Sequence, residues 1–232
     1  MVYMGGKGAL AKYILPVVLA DRKPDQWYVE PFVGGFNMMD KVTGLRLGND
    51  LNKYVIAIFL ELLKGWEPPE NVTEDQYNAV KANRDKYPDH IVGLFGFFTT
   101  YAGKWFGGFA RYEGRNYYKE GVRNIKRQLP ALKGVVIRNE TYQNLKLPPK
   151  AIIYCDPPYA NTTAYRGGFD SVRFWDWARL KVTEGHSVFV SEYSAPDDFC
   201  CVWERATKVM LQRHGSKERT ERLFIYKHRD LF

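Results

Sequence analysis

The stretch "IIYCDPPYA" (152–160) places an acid, two prolines and a tyrosine directly after an apolar run. Proline has no backbone N–H and a fixed φ, so Pro157 and Pro158 end any strand that reaches them. The carbonyls at that end are not consumed by a neighbouring strand. Asp156, such a carbonyl and the flat face of Tyr159 make a set suited to a planar group carrying an amine. The two oxygens accept its N–H bonds and the ring stacks on its face. A purely structural turn would use the same residues, and these four alone do not decide between the two.

Two other features have the same kind of placement. "EPFVGG" (30–35) follows the apolar "WYV", and Gly34 and Gly35 permit close approach of a ligand to the backbone. Asp50 closes "LRLGND", 20 residues after Glu30, where an acid of an open α/β sheet accepts hydrogen bonds from a ribose. Each has a plainer explanation, a tight turn for the glycines and a helix N-cap for Asp50. The match to dinucleotide-binding folds is poor, because G-x-G-x-x-G is absent and the turn reads G-G-F-N-M-M. "GGKGAL" (5–10) does not satisfy the phosphate-loop pattern either. A ligand with a ribose and no pyrophosphate, an adenosyl compound, fits what remains.

The elements that would position these groups are legible from periodicity. Helices are expected over 8–20, with Pro16 near a bend or end, over 51–65, and over 172–183. Strands are expected over 27–32, 45–50, 134–139, 151–155, 187–193, 207–214 and 222–228. The segment 33–44 reads as a Gly turn followed by about two helical turns. The last two strands are joined by a short polar loop and should pair antiparallel. The expected class is therefore α/β, a Rossmann-like sheet of about seven strands with the last one antiparallel. Residues 66–133 interrupt it and read as a mostly helical insertion, with Thr73 capping a polar helix and a basic helix over 114–132.

The 232 residues carry a net charge of +8, and the sequence pI is about 9.2. Between Lys104 and Lys133 there are eight Lys/Arg against two Glu, a net of +6, so most of the excess lies in the insertion. Trp105, Phe106, Phe109, Tyr112, Tyr117 and Tyr118 lie among them. That mixture suits a polyanion with exposed bases, or equally a solvated basic face whose aromatics fill a core. Three cysteines without a C-x-x-C pair argue against a disulfide framework or a zinc site, and no metal site is expected. No run approaches about 18 apolar residues, so no membrane span is expected and a cytoplasmic setting is the simplest reading. His90, His186, His214 and His228 are scattered and read as surface or core residues.

Taken in order, these motifs resemble the Dam-type, D12 class family of DNA amino-methyltransferases. "YMGGK" (3–7) is similar to the family's N-terminal aromatic-x-Gly-Gly-Lys, "VEPFVGG" (29–35) to its first cofactor motif, and Asp50 to its ribose-binding acid. "CDPPY" (155–159) matches its catalytic motif in the adenine form, "TAYRGGFD" (163–170) its substrate-side loop, and "RHGSKERTERLFIYK" (213–227) its basic loop and final strand. The resemblance implies a class I fold, S-adenosylmethionine as cofactor and S-adenosylhomocysteine as product, and transfer to the N6 amine of an adenine flipped out of double-stranded DNA. It implies a catalytic domain over 1–65 and 134–232 and a target-recognition insertion over 66–133. Phe36 stands where the family often has a second spaced glycine, and Glu192 follows Ser191 where it commonly has Asn.

By that resemblance Asp156, Pro157, Pro158 and Tyr159 are the catalytic set. Tyr3, Lys7, Glu30, Pro31, Phe32, Gly34, Asp50 and Asp156 contact the cofactor. Lys104, Arg111, Arg115, Lys119, Arg123, Arg213, Lys217 and Arg219 are the DNA-contacting candidates, mostly to phosphates. Tyr165 and Phe169 either cover the flipped base or pack in the core. Three other readings remain open at this point: a cytosine-N4, RNA or protein amine methyltransferase on the same fold, a catalytically silent DNA-binding scaffold, and a nucleotide-dependent oxidoreductase. The sequence does not show a recognition sequence or whether a restriction nuclease accompanies the protein.

Overall fold

Three short segments, 28–30, 46–49 and 152–155, are buried at every position, the pattern of central strands. The computed structural model describes residues 1, 3, 5–111, 113–158, 169–211 and 215–227, with the side chains of 208–211 and 215–218 left out. Its strands are β1 (Tyr28–Glu30), β2 (Arg46–Asn49), β3 (Val136–Arg138), β4 (Ile152–Cys155), β5 (Ser187–Glu192), β6 (Phe199–Leu211) and β7 (Gly215–Tyr226). They form one sheet in the order β3-β2-β1-β4-β5-β7-β6. β1 with β4, β4 with β5 and β2 with β3 are parallel, and β7 runs antiparallel to both β5 and β6. This is the seven-stranded α/β sheet with an antiparallel last strand expected from the sequence.

The helices are α1 (Ala11–Val18), α2 (Lys53–Leu63), α3 (Glu74–Ala82), α4 (Asp89–Phe98), α5 (Tyr117–Leu132) and α6 (Ser171–Thr183). Local chemistry sets their starts. Asn52, Thr73, Asn116 and Asp170 each accept a first-turn N–H, and Thr73 forms a reciprocal capping box with Gln76. The chain divides into two compact units, residues 1–11 with 33–145 and residues 12–32 with 146–232.

In the first unit, Trp105, Phe106, Phe109 and Tyr118 of the basic segment pack inward. Tyr77, Val80, Val92, Phe95 and Phe106 form a core against which Tyr54, Trp105 and Phe109 pack. Trp105 stacks on Tyr54 at 4.8 Å and fits because Gly96 has no side chain, since a Cβ there would lie 2.3 Å from the indole. α5 buries Tyr118, Gly121, Ile125, Gln128 and Leu132 at alternating steps of three and four, leaving Lys119, Arg123, Lys126 and Arg127 exposed. The solvated basic face with an aromatic core is therefore the arrangement that forms.

In the second unit, β7 pairs with β5 only over Arg222–Ile225 but with β6 from Gly215 to Tyr226. The hairpin thus continues past the sheet as a two-stranded ribbon. β6 begins at Phe199, eight residues before the expected start, and a register irregularity between Cys201 and Trp203 falls in this added part.

The segment 33–44 differs from expectation. Only Met39–Lys41 make a single 3-10 turn. Phe36 sits at φ 58°, in the left-handed region that a bulky residue rarely adopts. This explains what a glycine would do at that position. The strain is held by burial: the Phe36 ring is fully buried against Phe59, 4.2 Å between centroids, and lies over Gly48 of β2. Its N–H donates to Val33 O and its carbonyl accepts from Gln128 Nε2. Phe36→Ala is expected to lower stability by about 3–5 kcal/mol in urea unfolding, because the buried ring is lost while the Cβ that strains the positive φ is kept. A change under about 1 kcal/mol would mean that the ring contributes little to the packing.

Candidate active site

The sequence places its candidate groups at the carboxyl ends of β1, β2 and β4, where open α/β sheets take ligands. In the first unit, β2 delivers Asp50. The residue is 6% exposed, and its two carboxylate oxygens each accept a backbone N–H, from Gly34 and from Asn52, both at 2.8 Å. Asp50 therefore does not cap α2, since Asn52 does, with Oδ1 accepting from Tyr54 N–H. Instead the acid joins the end of β2 to the Gly turn. Burial raises its pKa, and the two N–H bonds oppose the rise. Asn139 Nδ2 donates to the Asp50 carbonyl at 2.7 Å, steadying the same strand end.

The Gly turn carries Gly34 at φ 48°, and a Cβ there would lie 3.0 Å from the Tyr3 ring. Tyr3, half-buried, packs its ring 5.5 Å from that of Phe97. Lys7 is buried, 6% exposed, although a lysine seldom is. Tyr3, Lys7, Gly34 and Asp50, four residues that the motifs single out, thus lie in this unit, and Tyr3, Gly34 and Asp50 are in direct contact through the turn. Gln128 was not singled out by any motif. Its Nε2 donates to both Gly35 O and Phe36 O, bracing the turn from α5. The available signal was a polar residue on the apolar stripe of a basic helix.

In the second unit, β1 ends in Glu30, 3% exposed, followed by buried Pro31. Phe32 packs edge-on against Phe169 and Phe174, at 5.9 and 5.8 Å, so Phe169 joins a ring cluster at the start of α6. β4 stops pairing at Cys155, opposite Val190, and Asp156, Pro157 and Pro158 follow outside the ladder. β5 continues two residues further, where Ser191 and Glu192 pair with β7. Asp156 is partly exposed, Pro157 is buried, and the described peptide bonds are trans. Burial, then the Asp156 charge, raise the pKa of the Tyr154 hydroxyl and of the Cys155 thiol well above their usual values. Both therefore stay protonated, and the Tyr154 hydroxyl shares a 2.8 Å hydrogen bond with Ser191 Oγ. Tyr154 and Ser191 hold the ends of β4 and β5 in register, a contact that no motif foretold. At the Ser191–Glu192 departure, the Glu192 carboxylate accepts from the Tyr193 N–H and lies across from Arg222 of β7.

The basic candidates are placed on the surface. Lys104, Arg111, Arg115, Lys119, Arg123 and Arg219 are exposed. Arg111 is paired with Glu74, Arg115 with Glu120, and Arg219 donates to the Tyr193 hydroxyl. Tyr159, Tyr165 and Arg213 lie outside the described residues, as does the Lys217 side chain. His186 is structural: its Nδ1 accepts the Ala151 N–H, and burial lowers its pKa. His90 packs its ring edge against Trp66. Among the described residues there is no group of three metal-ligating side chains, and no helix is long and apolar enough to cross a membrane.

Several solved structures align with the chain at low identity. A provisionally named methylase of Haemophilus influenzae aligns at 9% identity and TM-score 0.38, covering 94% of this chain and 89% of its own. A provisionally named RNA methyltransferase of Pyrococcus horikoshii aligns at 9% and 0.44, covering 99% and 87%. SMU.472, a provisionally named methyltransferase complexed with SAH, aligns at 13% and 0.40, covering 96% and 53%. The fold assignment rests on the strand order and not on these likenesses. No curated protein matches the chain. Residues 3–92, which hold Tyr3, Lys7, the Gly turn and Asp50, match the family model of the D12 class N6 adenine-specific DNA methyltransferases.

Proposed function

We propose that the protein transfers a methyl group from S-adenosylmethionine to the N6 amine of an adenine flipped out of duplex DNA. The observation that carries this reading is the end of β4, where the ladder with β5 ends at Cys155 and the Asp156-Pro157-Pro158 segment follows directly at the carboxyl end of the strand. Adenine N6 is a poor nucleophile because its lone pair is delocalised into the ring. The Asp156 carboxylate and a carbonyl of the turn accept its two N–H bonds and draw it toward sp³ geometry. Fixed acceptors of this kind act by orientation and electrostatic aim. Tyr159 supplies the face on which the base stacks, and the trans, donor-free prolines keep the acceptors in place.

The residues of the first unit fit an adenosyl cofactor. Each Asp50 oxygen takes one backbone N–H, and a carboxylate offers about four lone-pair positions, so acceptors remain for a ribose diol. When bound, S-adenosylmethionine supplies an electrophilic methyl group. Asp50 holds the ribose hydroxyls, Gly34 lets the ligand approach the backbone, and Tyr3 and Lys7 contact the cofactor, as do Glu30, Pro31 and Phe32. Residues 66–133 act as the target-recognition insertion, with catalysis in 1–65 and 134–232. Lys104, Arg111, Arg115, Lys119, Arg123, Arg213, Lys217 and Arg219 contact the DNA, chiefly its phosphates. The reaction takes place where the cell keeps its DNA, in the cytoplasm of a bacterium or of an infected host.

Methyl-labelled S-adenosylmethionine offered separately to unmethylated duplex DNA, transfer RNA and protein tests the acceptor. Label in duplex DNA alone is expected. Label confined to RNA or protein would overturn the proposal.

A further inference from the structure

The helical insertion contains an open cavity of about 440 Å³ at the start of α5, bordered by Thr99, Phe109, Arg111, Arg115, Asn116 and Tyr117. Its size falls in the range of small-molecule sites, which run from about 300 to 1,000 Å³. Its chemistry is of two kinds. Phe109 and Tyr117 give flat apolar surface, and Tyr117 is steadied edge-on by Tyr101 at 5.8 Å. Arg111 and Arg115 give positive charge, and each is already oriented by a carboxylate, Glu74 for Arg111 and Glu120 for Arg115. Glu120 engages Nε and Nη2 of Arg115, and among the described residues no acceptor takes Nη1. The Arg115 guanidinium also lies 4.7 Å from the Tyr117 ring centroid, so the cation and the aromatic wall form one fixed unit. The first-turn N–H groups of α5 add to the attraction for an anion at this place.

A flat ring beside an anionic group is the chemistry of a nucleotide. We infer that this cavity receives one unpaired nucleotide of the DNA, distinct from the adenine held by Asp156. The inference rests on the reading of DNA as substrate. The base lies on the Phe109 and Tyr117 walls and the phosphate meets Arg111 and Arg115. Glu113 and Asn116 line the same cavity and can accept from amine groups at the base edge. Both arginines keep their carboxylate partners, since a guanidinium has five donors and one carboxylate uses two.

Fluorescence anisotropy with two duplexes tests this, one fully paired and one carrying a single-nucleotide bulge. The protein is expected to bind the bulged duplex about tenfold more tightly, from the stacking of one base. Tyr117→Ala and Arg115→Gln should each remove most of that preference, whereas Asp156→Ala should retain it. Thermal melting of each variant checks the fold. A preference that survives Tyr117→Ala but disappears in Asp156→Ala would place the bulged base at Asp156 and overturn the inference. So would equal affinity for the two duplexes in a protein that still methylates DNA, an outcome that leaves the substrate reading standing. A protein that neither binds nor methylates DNA would overturn both.

Discussion

Asp156→Ala is expected to lower the rate of methyl transfer by about 10² to 10³-fold while the protein stays folded and still binds cofactor. The magnitude is that of removing one preorganised acceptor or donor from the reacting atom. The change should be tolerated structurally, because Asp156 lies past the last paired residue of β4 and is partly exposed. Single-turnover kinetics with saturating cofactor separate this from a binding defect. Asp156→Asn should recover little, since an amide offers one acceptor in place of a carboxylate's charge and two oxygens. Turnover within about threefold of the parent protein would remove Asp156 from the mechanism and return the Asp-Pro-Pro segment to a structural turn.

The second large effect is at Asp50. Asp50→Asn is expected to weaken cofactor binding by about 10 to 100-fold, the loss of one or two hydrogen bonds to a charged acceptor. DNA affinity measured without cofactor should change far less. Asn is the milder replacement: its single oxygen keeps one of the Gly34 and Asn52 N–H groups accepted, whereas Asp50→Ala strands both. Each stranded buried donor costs about 1–3 kcal/mol, so the alanine variant should also be less stable. The pH dependence has a defined sign. Burial raises the Asp50 pKa, so the carboxylate is lost on acidification at a higher pH than an exposed aspartate. Cofactor affinity should accordingly fall as pH decreases through that raised pKa, and the fall should be absent in Asp50→Asn. Isothermal titration across the acidic range measures both.

The order of elements was legible wherever hydrophobic period and turn chemistry agreed. β1, β2 and β4 are short segments followed by Pro31, Asp50 and Asp156, and each formed within a residue or two of its expected limits. Thr73 read as an N-cap because a polar side chain preceding an acidic first turn has few other uses, and it caps α3. Three things were not legible, each for a physical reason. The 33–44 segment has helical composition, but the tie of Gly34 to Asp50 and the positive φ of Phe36 commit it to a turn. β6 begins early because its pairing with β7 is a long-range match, and Phe199–Trp203 carry no clean alternation. The insertion's aromatics read equally as a surface for bases or as a core, because composition does not say which way a ring points. Packing on Tyr54 and around Phe95 decides that Trp105, Phe106 and Phe109 go inward.

Around the candidate site, the placement of Asp50 at a strand end was legible, and residues that brace that region through one hydrogen bond were not. Asp50 was read correctly as a strand-end acid, but its bonds to two N–H groups could not be. Gln128, Tyr154 and Ser191 have ordinary neighbours in sequence and acquire their roles from contacts 37 to 93 positions away. The proposed chemistry comes from the resemblance to the amino-methyltransferases, and the end of β4 at Cys155 is the structural feature that supports it.

The most direct test is the identity of the modified nucleoside. Unmethylated duplex DNA treated with the protein and S-adenosylmethionine would be digested to nucleosides and analysed by mass spectrometry against synthetic standards. The account predicts N6-methyldeoxyadenosine, absent when Asp156→Ala replaces the parent protein. N4-methyldeoxycytidine, or DNA left unmodified by a protein that binds both cofactor and duplex, would contradict it.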